Sequence, residues 1–375
     1  LGMSHDRVEE IRKLRRLMGT APEAEPEFET KFYRGVEGIR VKLVDGPRNP
    51  YRAMYAMGVS TWGHIHSLAT DRWEDTPPEA REAVVRAVLG FNALPLAMEA
   101  PKFTFEVYNL TRWSFDQIAR ARIGAVFASL GTRDNNHLGI PFRMHEATWR
   151  NESKRGLFVG NAKNAKDAYR TLVESGRGSW QEARTFLPIS VVHRFTMSIN
   201  FLALRGMCAR RMTFSEAEDT VAVAWLLRDR LMKADAYPLL AAHLRPACDG
   251  AGTCRYHKAH TISEAFGCLF KSCGRHPVKS APGNPDFDYE YADFNVSCSD
   301  RKTIQDQLQI SIPERTMDPD KVELTSRDRF LLGFQAQNEE EFEDWRWYAQ
   351  AERGVDANPF PLPDSGAAVE PVDLP

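Results

Sequence analysis

The residues whose types and spacing could do chemistry fall into two stretches. The first runs Gln117-Ile-Ala-Arg120-Ala-Arg122-Ile123-Gly and is followed by Gly131-Thr-Arg133. The second runs Glu182-Ala-Arg184-Thr-Phe-Leu187-Pro188, passes Phe195 and Asn200, and ends at Arg210-Arg211. A guanidinium presents a flat fork of N–H donors that matches a phosphate or a carbonyl-rich edge, and a side-chain amide offers both a donor and an acceptor to a planar ring. The set therefore suits a small anionic ligand that carries a ring. On one helix, Arg120 and Arg122 diverge by about 200° and face two different surroundings, whereas Gln117 and Arg120 share a face. Each segment also has a plain reading: two solvated arginines on a helix, and at Asn200 a satisfied polar residue in mid-helix.

The surrounding pattern predicts the elements that position these groups. Residues 32–44 alternate partly as a strand, and 79–98 read as a helix started by Pro77 and Pro78, with Val84, Val85, Val88 and Leu89 as its apolar stripe. Residues 102–108 alternate in the β manner and 114–128 switch to helical spacing, so a strand feeds a helix at Thr111 to Ser114, a common place for ligand-facing groups. Further helices are expected at 4–18, 163–176, 180–187 and 193–209, the last burying Phe195, Ile199, Leu202 and Met207. Another, at 215–234, opens with Ser215 three residues before Glu218, a capping-box pattern.

Composition narrows the ligand. The chain has 375 residues, 43% hydrophobic, enough for a substantial core. Its 49 basic and 51 acidic residues nearly cancel, which argues against a protein that grips a nucleic-acid backbone by charge alone. No apolar run approaches the roughly 20 residues needed to span a bilayer, so a soluble, cytoplasmic protein is expected.

Together the two stretches resemble the flavin-dependent thymidylate synthases. That family carries Gln-x-x-Arg-His-Arg on a helix after a strand, then Ala-Arg-x-x-Leu-Pro, an Asn, and Leu-Arg near a nucleotide-contacting helix. Here Gln117, Arg120 and Arg122 match the first motif, and Arg184, Leu187, Pro188, Asn200 and Arg211 match the second at spacings that need no gaps. The resemblance covers about residues 50–235. It implies an α+β fold, a mixed sheet with packed helices, and transfer of a one-carbon group to C5 of a pyrimidine nucleoside monophosphate. The implied cofactors are FAD, with reduced flavin as hydride source, and methylenetetrahydrofolate as one-carbon donor. It further implies that Gln117, Arg120, Arg184 and Arg211 hold the nucleotide, with Arg184 and Arg211 converging on it from separate helices and acting on the base. Arg120, Arg122, Ile123 and Asn200 would meet the flavin, and Arg133 would meet the nucleotide of a neighbouring subunit in a homotetramer.

The departures from the family pattern are specific. The His of Arg-His-Arg is Ala121, the following Ser aligns with Ala125, the His of an upstream His-x-x-Pro turn is Asn92, and Ala-Gln-x-Glu after the last Arg has become Ala217-Glu218-Asp219. They point to a divergent member, methylating or hydroxymethylating a non-standard pyrimidine nucleotide. The alternative is a nucleotide-binding protein that kept the fold and lost the flavin chemistry.

Beyond residue 240 the character changes. Cys248, Cys254, Cys268 and Cys273, with His257, His260 and His276, supply more than the four ligands of a closed zinc site, at spacings irregular for zinc knuckles; reduced cysteines or a disulfide are the other readings. The expected organisation is an N-terminal helix and linker at 3–30, a nucleotide- and flavin-binding core at 31–240, a Cys/His-rich C-terminal addition at 241–353 and a disordered tail at 354–375.

Overall fold

The computed structural model describes residues 30–60, 71–129, 137–175, 180–214, 216–233, 237–247, 301–313 and 316–352, together with Asp249 and a few positions between 10 and 18. Its strands are β1 (Phe32–Arg34), β2 (Arg40–Asp45), β3 (Lys102–Thr111), β4 (Ala125–Ser129), β5 (Phe142–Met144) and β6 (Val192–Asn200). Four of them form an antiparallel sheet in the order β2-β3-β6-β4, and β1 pairs with β5 in parallel. With the helices below, this is the α+β fold that the sequence predicts; the expected mixed sheet is resolved into an antiparallel sheet and a separate parallel pair.

Strand alternation decides which sheet face is buried. In β3, Phe103, Phe105 and Val107 are fully buried, and their register partners in β6 are Ile199, Met197 and Phe195. The helices that matter for the site are α1 (Pro50–Val59), α2 (Pro78–Leu89), α3 (Arg112–Ile118), α4 (Glu152–Glu174), α5 (Phe201–Arg211), α6 (Glu218–Met232) and α7 (Ser326–Leu332). Every residue of α6 from Asp219 to Arg228 is buried, so it is a central helix, covered all round rather than along one stripe. It packs against β2, β3, α3 and α5.

Several boundaries differ from expectation for identifiable reasons. The expected helix at 193–209 is two elements: Phe195, Met197 and Ile199 alternate as a strand, and Asn200 caps the helix that follows, its side chain accepting the Ala203 N–H at 2.8 Å. The expected helix at 114–128 stops at Ile118; after a turn the chain returns as β4, whose Ala125 pairs with Ile199. The predicted strand at 32–44 is broken by a turn into β1 and β2, which belong to different sheets. The helix at 79–98 ends at Leu89, with Phe91 at φ 63, and a separate 3-10 turn spans Pro95–Glu99. Residues 180–187 form a short helix, Trp180–Ala183, and a 3-10 turn, Arg184–Phe186. Helix α4 begins eleven residues earlier than residue 163, because a capping Asn151 starts it while only Ala162, Lys166 and Tyr169 are buried, leaving little apolar stripe to read. Ala217, without a side-chain bond, caps α6, and Ser215 lies outside the described residues. A capping box does form at Thr325 and Asp328, starting α7.

The C-terminal segment is bound into the same core. Ile304, Ile310, Ile312, Val322, Leu331 and Leu332 belong to the hydrophobic cluster that contains the sheet. Asp328, fully buried, accepts from the Tyr51 hydroxyl of α1, and Arg81 of α2 donates to the Leu332 carbonyl at 3.0 Å. Glu146 is the other tie. Its carboxylate accepts from Arg34 at 2.9 and 2.7 Å, from Arg150 at 2.7 Å and from Gln307 at 2.9 Å, joining β1, the short helix Glu146–Arg150 and the helix Arg301–Leu308. The Arg34 hydrogen bonds, working against burial and helped by Arg150 and Gln307, hold this carboxyl down at about 2.

A carboxylate whose folded pKa is depressed contributes stability above its unfolded value, about 4.3, and loses it as pH falls through the folded one. Glu146→Gln should therefore cost about 1–3 kcal/mol at neutral pH, and its gap in thermal midpoint from the wild type should shrink as pH is lowered from about 4.3 to 2. Thermal melts of both proteins across that window check this; a gap independent of pH would remove Glu146 as the titrating tie.

Candidate functional site

The strand-to-helix corners at the ends of β3 and β6 set up one groove. At the first, Thr111 caps α3 by accepting the Ser114 N–H at 3.2 Å, and the hydroxyls of Thr111 and Ser114 both donate to the buried carboxylate of Asp219 on α6. This bond set fixes α3 against the central helix. At the second, the Asn200 N–H donates to the Gly124 carbonyl at 2.8 Å, so the turn after α3 is pressed against the start of α5. Gly124 has φ +75, and a Cβ on it would collide with the Asn200 amide.

The C-terminal end of α3, the turn after it and one face of α5 thereby enclose a groove of about 250 Å³. Gln117 and Ile118 come from α3; Arg120, Ala121, Arg122 and Ile123 from the turn; Ala203, Gly206, Met207, Arg210 and Arg211 from α5. The α5 residues recur at three- and four-residue intervals, as one helix face requires. Small residues at 203 and 206 leave the groove its width: a Cβ at Gly206 would meet nothing within 4 Å. Ile123 stands 90% exposed at the rim. Arg211 donates to Glu216 at 2.7 Å and to the Gln117 carbonyl at 3.0 Å, which ties the two helices together across the groove.

The structure thus brings together Gln117, Arg120, Arg122, Ile123 and Arg211. Arg120 and Arg122 are not on a helix, since α3 ends before them; they reach the same groove from a turn instead of diverging by a helical angle. Asn200 is buried, and its oxygen is engaged in capping α5; it shapes the groove from behind rather than lining it. Arg184 lies on the 3-10 turn beside Ala183, which packs with Leu138 and with Tyr169 of α4. It is not among the residues lining the groove, so the expected convergence of Arg184 and Arg211 is not formed there. Arg133, Cys248, Cys254, Cys268 and Cys273 lie outside the described residues. Among the described residues, no three His, Cys, Asp or Glu are grouped to share a metal ion, and no helix is long and apolar enough to cross a membrane.

The departures at 217–219 have structural uses. Glu218 accepts the Glu146 N–H at 2.9 Å and has its carboxyl pushed up by burial, and Asp219 is the buried acceptor at the α3 corner. Neither lines the groove. Cys208 is fully buried, and burial pushes its thiol up to about 12, so it is an inert core residue. Arg210, which closes the second sequence stretch beside Arg211 but receives no role from the resemblance, also lines the groove. Its signal was present: it stands four residues after Gly206 and seven after Ala203, on the face of α5 that turns out to be open.

The fold is α+β, and its groove, between a strand-ending turn and a helix, is lined by four arginines. The chain belongs to the thymidylate synthase complementing protein family, whose model matches residues 42–235, more than half of its length. Among solved structures, it is similar to the UMP/dUMP methylase PolB from Streptomyces cacaoi, bound with 5-Br dUMP, at 18% identity and a TM-score of 0.43; the match covers 54% of this chain and 92% of that one. It is also similar to Thymidylate Synthase X from Helicobacter pylori, with FAD and dUMP, at 16% identity and a TM-score of 0.41, over 52% and 93% of the two chains. No curated protein matches it in sequence.

The open space at Gly206 gives a direct test of the groove. Gly206→Leu should hold or raise the thermal midpoint, because glycine is about 0.5–1 kcal/mol unfavourable inside a helix, while it fills the groove and weakens flavin or nucleotide binding at least tenfold. Calorimetric titration alongside a thermal melt checks both halves; a stable variant that binds as the wild type does would place the ligand elsewhere.

Proposed function

We propose that the protein transfers a one-carbon group to C5 of a pyrimidine nucleoside monophosphate, using the α3–α5 groove for parts of the nucleotide and a flavin. The observation that carries this reading is the gathering of Gln117, Arg120, Arg122, Ile123 and Arg211, from both stretches that resemble the flavin-dependent thymidylate synthases, around one cavity in a member of that family. FAD fits the residues present: Arg120, Arg122 and Arg210 line the groove and no carboxylate is among its lining residues, as a diphosphate requires. When bound, the reduced flavin supplies a hydride, and methylenetetrahydrofolate is the proposed one-carbon donor.

The chain's own residues then have defined tasks. C5 of a uracil ring is a weak nucleophile until the ring takes on enolate character, which places negative charge on a ring carbonyl oxygen. Donors fixed in advance stabilise that charge without reorganising, and Arg211, held at two atoms, is such a donor. Cys208 takes no part as a nucleophile, being buried and protonated. At about 250 Å³ the groove falls below the roughly 300–1,000 Å³ of complete ligand pockets. Arg184 stands outside it, so we assign Arg184 and Arg133 to a groove on a neighbouring copy, in keeping with the homotetramer that the resemblance implies.

Two outcomes test this reading. Mass spectrometry of dUMP, UMP and dCMP incubated with the protein, methylenetetrahydrofolate and reduced FAD should show one of them gaining CH2, or CH2O if water instead of hydride captures the intermediate. Nucleotide binding without any product would instead favour a nucleotide-binding protein that has lost the chemistry, a reading to which Ala121, a methyl in the groove wall at the family's imidazole position, lends weight. If copies share the site, mixing inactive Arg184→Ala and Arg211→Ala proteins should restore part of the activity, because some sites then receive both arginines. Mixtures that exchange subunits and remain inactive would confine the site to one chain.

A further inference from the structure

The four arginines of the groove are not equivalent. Arg211 is 15% exposed, and its guanidinium is 2.7 Å from the Glu216 carboxylate and 3.0 Å from the Gln117 carbonyl. Its charge is balanced, and two of its nitrogens are committed. Arg120, Arg122 and Arg210 are exposed, and among the described residues none of them has an acidic partner. Arg210 stands on the same face of α5 as Ala203 and Gly206, the residues that leave the groove open.

A phosphate brought to Arg211 would meet the field of Glu216 as well as that of the guanidinium, so the pair attracts an anion weakly at any distance. Its remaining N–H groups still suit an uncharged carbonyl, which gains from a fixed donor without needing a net charge. An unpaired guanidinium on an open helix face has the opposite balance: a full charge, all five donors available, and freedom to follow a phosphoryl oxygen.

Resting on the reading of the groove as a nucleotide site, we propose that α5 divides recognition between two adjacent arginines. Arg210, with Arg120 and Arg122, binds a phosphoryl group, and Arg211, set in place by Glu216, addresses the carbonyl edge of the ring. Arg210 is thus a binding residue and Glu216 a positioning residue.

The test uses the full chain and two probes, inorganic pyrophosphate and dUMP, in calorimetric titrations at low and raised salt. Arg210→Ala, at an exposed position, should weaken pyrophosphate binding roughly tenfold, the loss of one charge-assisted contact, and should flatten its dependence on salt. Arg210→Lys should keep most of both. Glu216→Gln should tighten pyrophosphate binding, since it unmasks a charge, while weakening dUMP, since Arg211 is no longer held. A merely structural role for Glu216 would weaken both together and overturn its part of the proposal. Unchanged pyrophosphate affinity in Arg210→Ala, or no pyrophosphate binding by the wild type, overturns the assignment of Arg210. Pyrophosphate binding that depends on Arg210 without any dUMP binding would leave the anion site standing and sink the nucleotide reading. Binding of dUMP with no effect of Arg210→Ala on either probe would do the reverse.

Discussion

Asn200 does two things at one corner, and the shape of the groove depends on both. Its side chain caps α5, which fixes where strand becomes helix, and its main-chain N–H holds the Gly124 carbonyl, which fixes how closely the turn after α3 approaches. Gly124 permits that approach because it carries no side chain and adopts a positive φ. With a larger residue there, the turn would have to move away from the corner and carry Arg120 and Arg122 away from the open face of α5. Asn200, for which the resemblance implies a flavin contact, thus stands one layer behind the residues that line the groove.

The same pattern recurs behind α3. Asp219 collects the hydroxyls of Thr111 and Ser114 and the N–H of Thr220 at 3.1 Å, so a buried carboxylate is satisfied by donors from two elements that must stay in register. The C-terminal segment adds further ties, through Asp328 to α1 and through Gln307 to Glu146. The groove is therefore walled by arginines and by small or apolar side chains, on a frame whose joints are buried and paired.

Much of this was legible in the sequence, and the failures have physical causes. The corner at Thr111 could be read because the apolar period changes there and a capping residue marks the change. The corner at Asn200 was hidden because Phe195, Ile199, Leu202 and Met207 fit a helical spacing well enough to mask the alternation of Phe195, Met197 and Ile199. The gathering of Gln117, Arg120, Arg122 and Arg211 followed from matched motifs, not from periodicity, which placed the two turn arginines on a helix. The place of Arg184 outside the groove could not be foreseen, since a motif match fixes residue types and spacing but not where a 3-10 turn packs. Nor did the sequence show that residues 301–332 join the main core: their apolar spacing names no partner, and the buried Tyr51–Asp328 contact spans 277 positions.

A crystal structure of the full chain grown with FAD and dUMP tests the account at its centre. The account predicts ligand density in the groove between α3 and α5, with a phosphate against Arg210, Arg120 or Arg122 and a ring carbonyl within hydrogen-bonding distance of Arg211. Both ligands bound well away from that groove, with Arg211 still closed on Glu216 and nothing before it, would contradict it.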